Sequence, residues 1–331
     1  MKKFFKYLVI FIMVLTIVYL FGPKPKHPKY NAQLPVVPEA PLLDSFLLQH
    51  EKPFDVKPEN EARVVWYDSA HRKTPYSIVY LHGFTASQEE GDPVHTDIAK
   101  RFGCNLYLAR LSEHGLKDTV NALKNFTADQ FWESCKEALA IGKQLGDKVI
   151  LMSTSTGGTG ALKLAATYPE VAALVLMSPN IAIKDPNAWL LNNPWGKQIA
   201  KLVKGGNYIY SSNQTDQYKK YWNSKYRIES AVELEEMLET SMNKKTFSKI
   251  TQPLLLLYYY ADDEHQDKVV SVKAMKKMFE QIATPDARKQ SIAVPGAGNH
   301  VLGSYVISKD IPSVEKNITE FLAKVMGMNM R

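Results

Sequence analysis

The chain has few cysteines and no arrangement typical of metal ligands. Only Cys104 and Cys135 occur in 331 residues, which excludes a disulfide framework. We interpret both as buried thiols, and a single bridge between them is the alternative. No histidine and cysteine cluster has ligand spacing, so we predict neither a metal site nor a cofactor. Internal repeats and low-complexity segments are also lacking, which argues against a solenoid or a disordered chain.

Acidic residues are missing from the first 38 positions, which contain six lysines. These lysines account for six of the seven surplus positive charges of the chain, so the remainder is close to neutral. A basic face for nucleic acid therefore has no support, and we predict no nucleic-acid partner.

The N-terminal segment is apolar and carries its charge at one end. Lys2, Lys3 and Lys6 precede an uncharged run over residues 7–23, which would reach about 25 Å as a helix. We predict a single-pass membrane anchor over 1–22, with the positive end in the cytoplasm and the rest of the chain on the extracytoplasmic side. The alternative is a cleaved signal and a secreted protein, although the run lacks small residues before a cleavage point.

Proline recurs between the apolar run and the rest of the chain. This spacing opposes a helix and predicts an extended, proline-rich linker over 23–41. The folded domain is therefore expected over 42–331.

Within that domain, short apolar runs alternate with segments of helical spacing. Strands are predicted at 62–67, 77–81, 105–109, 148–152, 171–177, 253–260 and 289–294, and helices at 97–102, 127–145 and 158–168. The alternation predicts an α/β fold with a mainly parallel sheet covered by helices on both faces. Residues 186–250 break the pattern and are rich in aromatics, and we interpret them as a helical cap inserted between two sheet strands.

One serine lies where a strand is expected to turn sharply into a helix. A nucleophile elbow requires small residues two before and two after the nucleophile, and Ser155 has Ser153 and Gly157 there. Leu151 would crowd Ser153 as the nucleophile, and Thr156 would need a costly positive φ. Ser155 is therefore the candidate nucleophile; the alternative interpretation is a polar cap on the helix that follows.

Two loops could complete a catalytic site. His300 follows the last strand in a glycine-rich loop, and the order serine, acid, histidine is the one that this kind of fold uses. The loop between them contains four carboxylates; we favour Asp267 as the acid, and Asp263 is the main alternative. The backbone N–H groups of Phe84 and Thr156 are the expected oxyanion donors. His82, before Phe84, is interpreted as a structural residue of that loop.

The chain from about residue 77 to 303 resembles the α/β-hydrolase superfamily, in the branch that includes monoacylglycerol lipases, carboxylesterases and serine aminopeptidases. The resemblance rests on residues 81–85, 110–115, 145–149, 157–169 and 174–179. It implies a triad of Ser155, Asp267 and His300, with Phe84 and Thr156 as oxyanion donors. The chain departs from the pattern at Ser153, where glycine is usual, at Thr154, where histidine is common, and in a lengthened acid loop.

These features predict a serine hydrolase that cleaves small acyl esters through an acyl-enzyme intermediate. An aminopeptidase or amidase is the first alternative, and it would need a carboxylate to bind a substrate amine. Candidates for that carboxylate are Glu89, Glu90, Glu233, Glu235 and Glu236. A membrane-tethered binding protein without catalysis is the second alternative.

Overall fold

A computed structural model describes residues 2–331 and contains helices and strands that alternate along most of the chain. The helices are α1 (Lys2–Leu20), α2 (Leu43–Glu51), α3 (Val94–Phe102), α4 (Ala128–Leu145), α5 (Thr156–Thr167), α6 (Gly196–Val203), α7 (Asp216–Tyr221), α8 (Ile228–Ser241), α9 (Lys244–Phe247), α10 (Val272–Gln281) and α11 (Ile311–Lys324). The strands are β1 (Arg63–Val65), β2 (Thr74–Leu81), β3 (Asn105–Leu108), β4 (Gly146–Thr154), β5 (Ala173–Met177), β6 (Tyr208–Tyr210), β7 (Lys225–Arg227), β8 (Leu254–Tyr258) and β9 (Lys289–Ala293).

Seven strands form one sheet in the order β1-β3-β2-β4-β5-β8-β9. Only β1 runs antiparallel to its neighbour, and every other pair is parallel. The carboxyl ends of β2, β4, β5, β8 and β9 therefore share one edge of the sheet, where the loops that follow them can meet. The prediction of a mainly parallel sheet is confirmed.

Alternate residues of each strand face opposite sides of the sheet. On β2, Val79 and Leu81 belong to the core beneath α4, α5 and α10, whereas Ile78 and Tyr80 belong to the core beneath α3 and α11. Both faces of the sheet are thus covered by helices. Cys104 and Cys135 are free and buried, as expected, and burial raises the pKa of the Cys104 thiol to about 12.

Helix α1 is not buried in the folded body. None of its 19 residues is buried, and its mean hydropathy of 2.0 makes it long and apolar enough to cross a membrane. A signal sequence would have the same properties.

The proline-rich segment has neither helix nor strand from residue 23 to 39, as the proline spacing predicts. It is nevertheless held along the body. We call residues 29–37 the strap, because Tyr30, Leu34 and Val37 pack against the core. Its hydrogen bonds are Lys29 N–H to Asp129 Oδ1, Trp132 Nε1–H to Asn31 O, Tyr168 O–H to Ala32 O, Lys136 Nζ to Gln33 O, and the Tyr30 and Thr240 hydroxyls to each other.

The segment between β5 and β8 contains four helices, α6 to α9, and one element that the sequence did not predict. Strands β6 and β7 form a two-stranded antiparallel ribbon in which Ile209 pairs with Tyr226. The insertion is therefore helical, with this ribbon added between α6 and α8. The physical reason is local: Gly205 and Gly206 follow α6 and oppose its continuation, and aromatic residues favour a paired strand.

Candidate active site

Ser155 lies at the tip of a sharp turn between β4 and α5. Its backbone has φ of 52° and ψ of −119°, a combination that costs energy for a residue with a side chain. Strand β5 and the loop after it hold Ser155 there: Ser155 N–H donates to Met177 O at 3.0 Å, and the Ser155 carbonyl accepts from Asn180 N–H at 2.8 Å. This is the geometry of the predicted elbow.

The small residues around Ser155 allow α5 to approach the end of β2 closely. A Cβ at Gly157 would lie 2.0 Å from the carbonyl oxygen of Leu81, so only glycine fits there. Ser153 is fully buried on the other side of the turn, and its hydroxyl has no hydrogen-bond partner in the described structure. That hydroxyl therefore contributes no hydrogen bond to the turn.

A short hydrogen bond joins His300 to Asp267, across two loops at the same sheet edge. His300 Nδ1–H donates to Asp267 Oδ2 at 2.6 Å. The other carboxylate oxygen, Oδ1, accepts from the N–H groups of Val269 at 2.8 Å and Val270 at 3.0 Å. Asp263, in contrast, is exposed and accepts from Tyr260 O–H. The geometry thus pairs Asp267, and not Asp263, with the histidine.

Burial and charge act in opposite directions on this pair. Burial raises the pKa of Asp267, but the charge and hydrogen bond of His300 and the two valine amides outweigh it and leave that pKa below its ordinary value. Burial lowers the pKa of His300, but Asp267 and then Glu90 outweigh it and leave that pKa raised. The imidazolium that a general base forms is therefore stabilised.

Ser155 and His300 line the same cavity, of about 640 Å³. No hydrogen bond joins their side chains in the described part of the chain. Such contacts are commonly long without substrate and shorten when it binds.

Two residues that line this cavity have backbone amides with no acceptor of their own. Within residues 2–331, neither Phe84 N–H nor Thr156 N–H donates to a protein atom, and both residues line the cavity. Thr156 is the first residue of α5, where N–H groups have no partner inside the helix. The pair is thus available to a developing oxyanion.

His82 fixes the loop that contains Phe84. Its Nε2 accepts from Leu111 N–H at 3.0 Å, so its Nδ1–H donates to Gly83 O at 2.9 Å. Burial lowers its pKa to about 4, which keeps the ring neutral and both bonds intact. These contacts match the structural role expected from the sequence.

Glu90 is a buried carboxylate at the same site. It is 2% exposed, lines the cavity and accepts from Gly83 N–H at 2.5 Å. Burial raises its pKa to about 7, although the Gly83 amide, the charge of His300 and the Trp222 side chain oppose the shift. The sequence offered Glu90 only as one of five acids for a substrate amine, and none of the other four lines the cavity.

The segment between β5 and β8 supplies much of the cavity wall. Tyr218, Trp222, Tyr226 and Leu234 line it, and Asn223 N–H donates to Thr85 O in the loop after β2. Asn180, which follows β5 at the same edge, also lines the cavity with an unpaired Oδ1. Sequence reasoning missed Asn180 and did not distinguish these aromatics from core residues.

Comparison with known proteins agrees with this architecture. The family model described as serine aminopeptidase, S33, matches residues 78–297. No curated protein matches the sequence significantly. No group of three or more histidine, cysteine, aspartate or glutamate side chains in residues 2–331 is placed to hold a metal ion.

Solved structures share the fold at low identity. A metagenome-derived lipolytic enzyme of the LipS and LipT study has 16% identity and a TM-score of 0.65, over 81% of this chain and 99% of its own. A monoacylglycerol lipase of Paleococcus ferrophilus has 15% identity and a TM-score of 0.57, over 79% and 97%. The non-heme bromoperoxidase BpoC of Mycobacterium tuberculosis has 16% identity and a TM-score of 0.56, over 80% and 95%. The chain therefore belongs to the serine aminopeptidase S33 family and has the α/β-hydrolase fold.

Proposed function

We propose that this chain is a serine hydrolase that cleaves acyl esters, with Ser155 as nucleophile, His300 as general base and Asp267 as the residue that orients the base. The observation that carries the proposal is the Asp267–His300 pair, which reaches the cavity that Ser155 lines. Phe84 and Thr156 line the same cavity, and their unpaired amides suit an oxyanion.

The mechanism follows from these positions. His300 Nε2 accepts the hydroxyl proton as Ser155 Oγ attacks the acyl carbon, and the carbonyl oxygen becomes an oxyanion bound by Phe84 N–H and Thr156 N–H. The oxyanion collapses, the bond to the leaving oxygen breaks, and His300 returns the proton to the leaving alcohol. Water then attacks the acyl-enzyme with His300 as base again, which releases the acid and restores Ser155.

The cavity wall favours esters with apolar acyl groups. The cavity that Ser155 lines is also lined by apolar and aromatic side chains, those of Phe84, Tyr218, Trp222, Tyr226 and Leu234. Burial of an acyl chain against them would contribute about 0.8 kcal/mol per methylene. We assign substrate choice to the cap insertion, residues 186–250, because most of these residues belong to it.

An aminopeptidase or amidase is the second candidate, and Glu90 favours it. A buried carboxylate beside the nucleophile and the base could bind the ammonium group of an aminoacyl substrate. The family description names such an activity. Glu90 is already bonded to Gly83 N–H, which equally suits a residue that positions the oxyanion loop.

We further propose that α1 is an uncleaved, single-pass anchor and that the hydrolase domain lies on the extracytoplasmic side. The three lysines before the apolar run support this orientation. Cleavage after the run, which would secrete the protein, is the alternative.

Hydrolysis of two substrate series would distinguish the candidates. We expect the chain to cleave p-nitrophenyl esters, with the highest kcat/KM at an acyl length that fills the cavity, and to cleave amino-acid p-nitroanilides poorly. Faster cleavage of the anilides, lost in Glu90→Gln, would favour the aminopeptidase. Cleavage of neither series, with no labelling of Ser155 by a fluorophosphonate, would favour a binding protein.

A further inference from the structure

Helix α6 presents an apolar face to solvent. Trp195, Ile199, Leu202 and Val203 recur at the spacing of one helix face, and we call these four residues the apolar stripe. They are 36%, 43%, 83% and 76% exposed, respectively. Surface helices normally bury such a face and expose their polar one. Because α6 instead exposes its apolar face, we expect an apolar neighbour outside the folded body.

The polar contacts of α6 point back toward the body. Lys201 Nζ lies 2.7 Å from Glu229 Oε1 of α8, and this pair holds α6 against the rest of the cap. Lys204, just past the end of α6, is exposed. A lysine beside an exposed apolar stripe is the usual composition of a helix that lies in the headgroup region of a membrane.

Trp195 connects the stripe to the N-terminal helix. Its indole Nε1–H donates to Val18 O at 2.9 Å, and its backbone N–H donates to Pro23 O at 3.0 Å. The last carbonyls of a helix have no partner inside it, so the first bond satisfies one of them in α1. Trp195 has φ of 67°, a costly value for a tryptophan, and these bonds help to hold it.

The stripe therefore begins where α1 ends. No residue of α1 is buried in the folded body, and the uncharged run from Tyr7 to Leu20 within this 19-residue helix suits a bilayer. Tryptophan is enriched at the boundary between a bilayer and water, and Trp195 contacts the end of α1 that would lie at that boundary.

We propose that α6 lies in the membrane interface, with the apolar stripe immersed in the leaflet from which α1 emerges and Lys204 among the phosphate headgroups. The proposal rests on the proposed anchoring by α1. It also extends the proposed function, because Tyr210 of β6 follows α6 closely in the chain and lines the cavity. The cavity would thus lie near the lipid surface, and its substrates would include acyl esters that partition into the bilayer.

A fluorescent probe on the stripe tests this placement in the full chain. We would introduce Leu202→Cys and label it with a bimane; Cys104 and Cys135 are 2% and 0% exposed and should not react. Asp286→Cys is the matched control, because its side chain is 98% exposed and it precedes β9, at the sheet edge opposite the cap. Both proteins are reconstituted into phosphatidylcholine vesicles with or without brominated acyl chains.

We expect bromolipid to remove most of the emission at position 202 and to leave the emission at position 286 unchanged. Equal emission with and without bromolipid at position 202 would overturn the proposal. A blue shift at position 202 that bromolipid does not quench would instead indicate a second copy of the chain on the stripe, and would also overturn it.

A charge variant separates this proposal from the catalytic one. Leu202→Glu with Val203→Glu in the full chain should keep its rate on p-nitrophenyl acetate in solution and lose severalfold in rate on a long-chain ester held in vesicles. If the variant kept the parent's rate on both substrates, the membrane contact would be contradicted and the proposed triad would be unaffected. If the unmodified chain hydrolysed neither substrate, the proposed function would be contradicted, whatever the probe reports.

Discussion

Four carboxylates lie in the loop between β8 and α10, and burial distinguishes one of them. Asp262, Asp263 and Glu264 are exposed, whereas Asp267 is fully buried. A buried carboxylate is stable only with partners, and Asp267 has the imidazole of His300 and two backbone amides. The exposed acids contact only their own loop, so water can replace those contacts at little cost.

Asp267→Asn should therefore lower kcat by about 10⁴, the size of effect that follows when the orienting acid of such a triad is lost. Asp263→Asn, the matched control in the same loop, should stay close to the parent rate. Steady-state kinetics on one p-nitrophenyl ester measure both. A larger loss of kcat in Asp263→Asn than in Asp267→Asn would identify Asp263 as the acid of the triad.

The rate should also depend on pH through His300. A general base must be neutral to accept a proton, and the pKa of His300 is raised above its ordinary value of 6.5. The activity should therefore be full at alkaline pH and fall as the pH decreases through a value above 6.5. A profile of kcat/KM against pH measures this decrease, which is the acid limb of the profile.

Glu90 contributes to that limb, because its charge raises the pKa of His300. Glu90→Gln keeps an acceptor for Gly83 N–H and removes the charge. The acid limb should then move to lower pH, while a residue that only holds the loop would change kcat without moving it. An unmoved limb in Glu90→Gln would show that the carboxylate does not act on the base.

At this scale the sequence was most informative where spacing alone restricts the geometry. Ser153, Ser155 and Gly157 identify the elbow because only small residues fit around a strained turn. Glu90 could not be singled out, because its importance arises from burial next to Gly83 and His300, and neighbouring Glu89 looks the same in sequence.

The strap is the element whose stability contribution was least visible in the sequence. Its prolines explain why it is extended, and its backbone carbonyls explain why it binds: Gln33 O accepts from Lys136 Nζ, and Asn31 O accepts from Trp132 Nε1–H. Lys136 is only 1% exposed. Without the strap its ammonium group would keep only Glu133 as a charged partner.

Removal of residues 1–38 should therefore destabilise the domain by about 5 kcal/mol, since the five hydrogen bonds of the strap are lost and each contributes about 1 kcal/mol. Removal of residues 1–22, which leaves the strap, should give soluble, active protein with the melting temperature of the full chain. Thermal unfolding of both truncated proteins measures the difference. Equal melting temperatures would show that the strap contributes nothing.

Strands and long helices could be placed from periodicity, because burial on two faces imposes an apolar run and α4 begins at a capping threonine. Thr127 Oγ1 accepts from Gln130 N–H, and the helix begins at Ala128, one residue after its predicted start. The ribbon of β6 and β7 could not be placed, since strands of three residues carry no periodic signal and are fixed by pairing between positions 15 or more residues apart.

At the scale of the whole molecule, the membrane topology is open to a direct test. Lys24 and Lys26 are exposed between α1 and the strap, and Pro25 should protect the bond after Lys24 from trypsin. Trypsin added to intact cells should therefore cut after Lys26 and release the folded domain as a fragment that begins at His27. Cleavage that occurs only after the cells are lysed would place the domain in the cytoplasm. A domain already free in the medium before trypsin is added would indicate signal cleavage.

The fold of the whole chain followed from the order of its motifs more than from any single one. A serine after β4, an acid after β8 and a histidine after β9 meet because parallel strands bring their carboxyl ends to one edge. The position of α6 beside the end of α1 depends instead on contacts of Trp195 with residues far away in sequence, which no local pattern indicates.

Covalent labelling tests most directly the proposal that Ser155 is the activated nucleophile. The folded chain is treated with a fluorophosphonate, and the modified residue is located by mass spectrometry, with Ser153→Ala as the matched control. We predict one adduct, on Ser155, in the parent and in Ser153→Ala, and none in Ser155→Ala. An adduct that persists in Ser155→Ala, or no adduct on the folded parent, would contradict the account.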